Sequence, residues 1–263
     1  MTKLYIIIPA HNEDKRIGPT LKDYLTFYNS NLMELIVVIN NTSDNTEAIV
    51  KEYEQTNSNL SHIVTPAGGK GYAIMLGFKE ALVRSQDDDD LICFVDADNA
   101  TDPENLGKVI AELELGVLDP ARAAIASRYL SESVLEPSQS FKRKAASRLF
   151  NFFVTFFLPL KYKDTQCGCK VIHSKELKQI YPLITSMRWS WDIDFLLQLQ
   201  RNNISCIECP ITWRDKEYST INFLKAGPKM AMGVLRLRIM YSPFKFLVKI
   251  YNKLPTWCKP KIE

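Results

Sequence analysis

The sequence predicts an α/β protein built on a doubly wound, mostly parallel sheet with helices on both faces, followed by a basic amphipathic helical segment. Short apolar runs alternate with longer amphipathic stretches through the first hundred residues, the order that gives parallel strands joined by crossover helices. The run Leu91–Val95 is apolar without a break, as a strand covered on both faces requires. Polar loops follow these runs, and in a doubly wound sheet the loops at the carboxyl ends of the strands share one crevice. At 263 residues the chain is a little longer than the usual ~100–200 residues of a domain, so one large domain is expected.

The elements follow in order. Lys3–Ile8 is the first strand, broken by the loop Pro9-Ala10-His11-Asn12-Glu13, and a helix is expected over Ile17–Tyr28. Glu34–Ile39 is the second strand; it ends in Asn40-Asn41-Thr42-Ser43-Asp44, with a helix from Asn45 to about Gln55. Leu60–Val64 is the third strand, and Gly68-Gly69-Lys70-Gly71 opens a helix to about Arg84. Leu91–Val95 is the fourth, with a helix beginning at Pro103. Beyond it, Arg122–Tyr129 reads as a strand and Phe141–Phe157 as a helix bearing Arg143, Lys144 and Arg148. Asp164–Lys170 reads as a polar loop or short strand, Trp191–Arg201 as a helix and Ile204–Trp213 as a strand. From Asn222 the chain is helical and basic, with breaks at Pro228 and Pro243.

The chemistry concentrates after the fourth strand, at Asp96-Ala97-Asp98. In extended chain, residues i and i+2 point to one side, so the two carboxylates can converge. Mg²⁺ and Mn²⁺ are held by few carboxylates and take their remaining ligands from water and phosphate, so the pair suits a cation that grips a diphosphate. Acids after a strand also serve as helix N-caps, and Asp98–Asp102 does lead into a helix. The glycines around Lys70 form no phosphate loop, since Gly71 follows the lysine, and no dinucleotide fingerprint, since Ile74 stands where Gly or Ala is needed. A helix N-terminus beside Lys70 can hold phosphate; the other reading is that the glycines serve only to enter the helix. Asp192 and Asp194 open the helix at Trp191, where the helix dipole alone favours acids.

The composition, 46% hydrophobic and 24% charged with a net charge of +3, is that of an ordinary globular protein. From Ile221 onward, nine basic residues face a single acid, Glu263, and near Pro243 aromatics interleave with lysines, as on a segment lying against an anionic membrane face. Leu149–Leu160 is too short to span a bilayer and reads as a buried or interfacial helix. Six cysteines in a chain this long make no disulfide scaffold, and Met1-Thr2-Lys3 runs straight into a strand, so a reducing cytoplasmic compartment is expected. The pairs Cys167/Cys169 and Cys206/Cys209 fit zinc spacing poorly.

The ordered series Pro9-Ala-His-Asn-Glu13, Asn41-Thr-Ser-Asp44, Gly69-Lys-Gly71 and Asp96-Ala-Asp98 resembles the family 2 glycosyltransferases of the GT-A fold. Further motifs resemble the dolichyl-phosphate glucosyltransferase branch: Ala126-Ser-Arg-Tyr129, Arg143-Lys-x-x-Ser147-x-x-x-Asn151, Asp164-Thr-Gln-Cys-Gly168, Trp191-Asp-Ile-Asp194 and Ile211-Thr-Trp213. The resemblance covers about Lys3 to Arg238. Asn40 stands where the family often has an acid, His11 and Cys169 where it has aromatics, and Asp194 where it has a glutamate.

The resemblance implies an inverting transfer of a hexose, glucose from UDP-glucose, to a polyprenyl phosphate, assisted by Mg²⁺ or Mn²⁺. It implies a glycosyltransferase domain over 1–220, with a nucleotide-binding half at about 1–101 and an acceptor half at about 102–220, and a tail over 221–263 that holds the protein peripherally on the cytosolic face of a membrane. Asp98, helped by Asp96, would hold the metal. Glu13, Asn40 and Asp44 would hold uridine among the nucleotide-binding residues Pro9, Ala10, His11, Lys70, Asp96 and Ala97. Arg128, Arg143 and Lys170 would meet the acceptor phosphate, because cationic forks suit phosphate oxygens. Asp164 and Asp192 are left as catalytic candidates, either as base or to orient the acceptor. No nucleic-acid partner is expected.

Other classes fit less well. A haloacid-dehalogenase phosphohydrolase wants Thr or Val two residues after its second aspartate, where this chain has Ala100, and a sugar-nucleotide pyrophosphorylase wants a glycine-rich basic loop after the first strand. A family 2 enzyme acting on a sugar, lipid or protein hydroxyl and a non-catalytic nucleotide-sugar binding module are the alternatives left open.

Overall fold

In the first strand, β1 (Leu4–Ala10), Tyr5 and Ile7 face one way and Ile6 and Ile8 the other, and all four are fully buried. A strand covered on both faces needs helices on both sides, and that is the arrangement found in a computed structural model of the protein. It describes residues 2–244 and 246, apart from 29, 116–119, 137–140 and 215–222, and the backbone alone of 141–146 and 223–229.

Three crossover helices link the first four strands: α1 (Ile17–Phe27), then β2 (Met33–Asn40), α2 (Thr46–Glu54), β3 (Leu60–Thr65), α3 (Lys70–Arg84) and β4 (Leu91–Val95). These strands are parallel, in the spatial order β3-β2-β1-β4. Helices α1, α2 and α4 (Pro103–Glu114) cover one face, meeting Ile6, Leu35 and Cys93; α3 covers the other, meeting Ile7, Val38 and Phe94. The packing is close: a Cβ on Gly77 of α3 would stand 2.5 Å from the Ile7 side chain.

The second half departs from strict alternation. It comprises β5 (Ala123–Ser127), β6 (Val134–Glu136), α5 (Phe141–Phe157), β7 (Cys169–His173), α6 (Ser174–Ile180), a 3₁₀ turn (Tyr181–Leu183), α7 (Trp191–Arg201), β8 (Cys206–Pro210), β9 (Thr212–Arg214) and α8 (Phe223–Met240). Strand β7 inserts between β4 and β5, antiparallel to both, and completes a seven-stranded sheet ending in β8. It therefore starts at the rim where β4 and β5 finish, with Cys169 opposite Val95. That reversal is why one rim collects so many motifs.

Two expectations need correction. The stretch Ile204–Trp213 is two strands in different sheets: β8 ends at Pro210, which has no amide to donate to a ladder, and β9 pairs with β6. Helix α8 runs through Pro228 rather than breaking there, although a proline in a second turn forfeits the bond to the carbonyl four residues back and its ring crowds that carbonyl. The chain does break into a turn at Pro243. Within the basic tail, 221, 222, 245 and 247–263 lie outside the described residues, and among the described residues no helix is long and apolar enough to cross a membrane.

Candidate active site

A cleft of about 590 Å³ opens on the rim where β1, β2, β3 and β4 end. The loops leaving β1, β2 and β4 each turn on an asparagine in the left-handed region, Asn12, Asn41 and Asn99, with φ between 47° and 56°. Asparagine tolerates this conformation better than other residues with a side chain. The first two loops lock together. Asn12 Oδ1 accepts from the Ser43 amide at 2.9 Å, the Glu13 amide donates to Thr46 Oγ1 at 2.7 Å, and the Asp14 amide to Asp44 Oδ2 at 3.1 Å.

Pro9, His11, Glu13 and Asn40 line one side of the cleft. The His11 ring donates from Nδ1 to the Asn40 carbonyl at 2.9 Å. The Asn40 amide is satisfied with its nitrogen donating to the Ala10 carbonyl at 3.0 Å and its oxygen accepting from the Gly69 amide at 3.2 Å. Neither Ala10, which is buried, nor Asp44, which is partly exposed, lines the cleft. Burial opposes ionisation of Asp44, but hydrogen bonds from Thr46 and the Asp14 amide outweigh it and hold its carboxyl below the usual range.

Lys70, Asp96, Ala97 and Asp98 form the floor. Lys70 Nζ lies 2.6 Å from Asp96 Oδ1. Capping falls to Asp102, whose Oδ1 accepts from the Asn105 amide at 2.9 Å, so Asp96 and Asp98 are free of that duty. Burial pushes the Asp98 carboxyl up, and the neighbouring Asp96 charge pushes it further, an excess of negative charge that a cation would relieve. Among the described residues no three His, Cys, Asp or Glu side chains gather as a complete metal cage. Two convergent carboxylates in an open cleft still fit Mg²⁺ or Mn²⁺, which leave several positions to water and phosphate. Among the described residues the cysteines are free thiols and do not gather with other ligands as a metal cage.

Glu13 is pushed up to about 7 by burial, more than its 2.6 Å pair with Arg16 lowers it; Asp98 and Asp96 push the same way as burial. The folded protein therefore keeps a proton between pH 4.5 and about 7 that the unfolded chain has released, and stability falls as pH rises through that window. Glu13→Gln is expected to remove on the order of 3 kcal/mol of that fall, checked by thermal melts from pH 4.5 to 7.5 in metal-free buffer.

Gly168 was quoted only as part of a motif, yet it sets the position of Asp96. Its carbonyl accepts from the Asp96 amide at 3.2 Å, and a Cβ there would stand 1.9 Å from Asp96 Oδ2. Gly168→Ala is therefore expected to displace Asp96 and to lower turnover of a nucleotide sugar by roughly a hundredfold, the scale of a 1 Å misplacement of a reacting group.

The acceptor-half candidates form two ion pairs. Arg128 makes a forked pair with Asp164, Nε to Oδ2 at 2.7 Å and Nη2 to Oδ1 at 2.9 Å, and its guanidinium lies 5.1 Å from the Trp213 ring centre. Burial opposes ionisation of Asp164, but Arg128 and the amides of Arg128 and Gln166 hold it below the usual carboxylate range. A carboxylate so engaged is poorly placed to take a proton. Lys170 is buried and donates to Asp192 Oδ1 at 2.6 Å and to the Cys167 carbonyl at 2.9 Å; neither partner of this pair lines the cleft. The structure thus places Lys170, expected at the acceptor phosphate, in a buried pair with Asp192 rather than on the lining of the cleft. The Arg143 side chain lies outside the described residues.

Arg16, Arg188 and Trp189 also line the cleft, and none was singled out from the sequence. Arg188 and Trp189 come from the loop before α7, which touches the start of α3 through a 2.7 Å bond from the Tyr72 amide to the Met187 carbonyl. The nearby Trp191-Asp192 motif is the only signal in sequence that pointed to this loop.

The family model for "Glycosyl transferase family 2" matches residues 5–181. The dolichyl-phosphate beta-glucosyltransferase of Dictyostelium discoideum is 28% identical over 254 residues, covering 90% of this chain and 74% of that protein. The enzyme of the same name from Saccharomyces cerevisiae is 28% identical over 256 residues, covering 90% and 75%. Among solved structures, glucosyl-3-phosphoglycerate synthase from Mycobacterium tuberculosis, in complex with Mn²⁺, UDP-glucose and phosphoglyceric acid, superposes with a TM-score of 0.67 at 14% identity, over 90% of this chain and 79% of that one. At that identity the likeness shows the GT-A fold.

Proposed function

The chain belongs to glycosyl transferase family 2, and from that premise we propose that it moves glucose from UDP-glucose to a polyprenyl phosphate with inversion at the anomeric carbon. The observation that carries this reading is the floor of the cleft, where Asp96, Asp98 and Lys70 converge in a space the size of a nucleotide-sugar pocket. Names of relatives that are 28% identical across nine-tenths of the chain support the choice of donor sugar and acceptor.

Uridine lies between the Pro9–Glu13 loop and Asn40, with the diphosphate over Lys70 and the two aspartates. Asp98 and Asp96 would hold a divalent cation, which would supply positive charge to the departing diphosphate. Lys70, 2.6 Å from Asp96, adds a second positive charge on the same side. An acceptor hydroxyl would need a base, but a phosphate acceptor is already an anion near neutral pH. The tight engagement of Asp164 with Arg128 fits an enzyme that positions its nucleophile rather than deprotonating it. Arg128 and Arg143 orient the acceptor phosphate, with Arg128 held rigid by its fork. Lys170 and Asp192 brace the floor from below.

A panel of radiolabelled nucleotide sugars offered with a short polyprenyl phosphate tests the reading. Label from UDP-glucose is expected in the organic phase; label confined to water-soluble products, or preferred from another sugar nucleotide, would overturn it.

The acceptor is a lipid, and α5 offers a surface for its membrane. Leu149, Phe152 and Phe156 recur at i, i+3 and i+7, and they are 69%, 66% and 72% exposed, a stripe that water alone would not favour. Arg148, exposed beside them, suits an anionic headgroup. Phe152→Asp with Phe156→Asp is expected to weaken sedimentation with anionic vesicles at least about tenfold, since each buried Phe contributes roughly 1.5–3 kcal/mol.

A further inference from the structure

The wall of the cleft formed by Arg188 and Trp189 is supplied by a loop, not by a strand, so something else must fix it. The Met187 carbonyl docks on the start of α3, and Ser186 Oγ and Ser190 Oγ share a 2.6 Å hydrogen bond across the loop. The firmest hold comes from behind. Asp194, wholly buried in α7, accepts with Oδ2 from the Thr185 amide at 2.7 Å and the Ser186 amide at 2.9 Å.

The other oxygen of Asp194 faces the end of the chain's last described helix. Oδ1 accepts from the Tyr241 hydroxyl at 2.8 Å and from Gln198 Nε2 at 3.1 Å, and Tyr241 and Gln198 also bond each other. Tyr241 follows the last residue of α8, and its ring sits 4.8 Å from the Arg201 guanidinium. One carboxylate thus joins the loop beside the cleft to the end of α8, within the basic segment 221–263. A buried carboxylate with donors on both oxygens has little freedom to turn, and removing one donor loosens what the other oxygen holds.

We propose that Tyr241 is a positioning residue for the donor site: through Asp194 it fixes the Thr185–Ser190 loop so that Arg188 and Trp189 close on the sugar nucleotide. The proposal rests on the reading of the cleft as a sugar-nucleotide site. It gives Asp194, which the sequence placed in the first turn of a helix where the dipole favours acids, a second role, and it ties the geometry of the donor wall to the segment expected at the membrane.

Tyr241→Phe tests it, because the ring and its contact with Arg201 remain and only the hydroxyl is lost. Isothermal calorimetry of the full chain with UDP in the presence of MnCl₂ is expected to give a dissociation constant raised about fivefold, the scale of one net hydrogen bond. In an R188A/W189A background the same substitution is expected to change UDP affinity less than about twofold, because the wall through which it acts is gone. An unchanged constant in Tyr241→Phe would overturn the proposal, as would an equal loss in the two backgrounds, which would mark a general loosening of the fold. Wild-type protein that bound no UDP would remove the reading of the cleft and this inference together.

Discussion

Asp98→Ala is expected to lower sugar transfer by at least about a thousandfold while the protein still folds, the scale seen when a centre of transition-state charge stabilisation is lost. The fold should survive because the Asp98 carboxylate makes a single hydrogen bond to the protein, from the Ala100 amide at 3.0 Å, worth roughly 1 kcal/mol. The helix that follows does not depend on it: Asp102 caps that helix, with Pro103 at its first position. A melting temperature near that of wild type together with vanished transfer meets the expectation. Transfer in Asp98→Ala within tenfold of wild type, or full wild-type activity in the presence of a chelator, would take the metal role away from this aspartate.

Removing the carboxylate of Asp192 is expected to cost stability rather than chemistry alone. Lys170 is 1% exposed, and its ammonium has Asp192 and one carbonyl as hydrogen-bond partners. Asp192→Ala leaves that charge buried beside the Phe94 ring without a counterion, a change that typically costs about 3–5 kcal/mol. For a chain of this size the melting temperature should fall by on the order of 10 °C. Adding Lys170→Met should restore most of the loss, because an apolar side chain of similar length has no charge to satisfy. If Asp192→Ala melts as wild type does, the pair contributes nothing and Lys170 has another outlet.

Much of the nucleotide half was legible in the sequence, and the reason is locality. Each of the first four strands carries its own apolar run, and each loop that reaches the rim belongs to the strand it follows, so Glu13, Asn40 and Asp98 could be placed together from connectivity alone. The acceptor half was less legible because its contacts span long separations. Arg128 meets Asp164 and Lys170 meets Asp192 only because β7 runs against its neighbours, a reversal that no periodicity in Cys169–His173 announces. In sequence, a lysine near an expected phosphate site looks like a ligand; its burial removes it from the cleft. Gly168 is similar: its importance lies in the closeness of Asp96, a residue 72 positions earlier (168 − 96). Arg188 and Trp189 had no pattern at all, being two adjacent residues in a loop between helices.

The three left-handed asparagines at the rim carry a further meaning. A residue with a side chain generally costs roughly 1–2 kcal/mol in that conformation and asparagine less, so the bends at Asn12, Asn41 and Asn99 carry a conformational penalty that their residue type reduces. The folded sheet bears this penalty whether or not a ligand arrives. A nucleotide reaching the rim meets corners already turned, and its binding energy is left for the bond that must break.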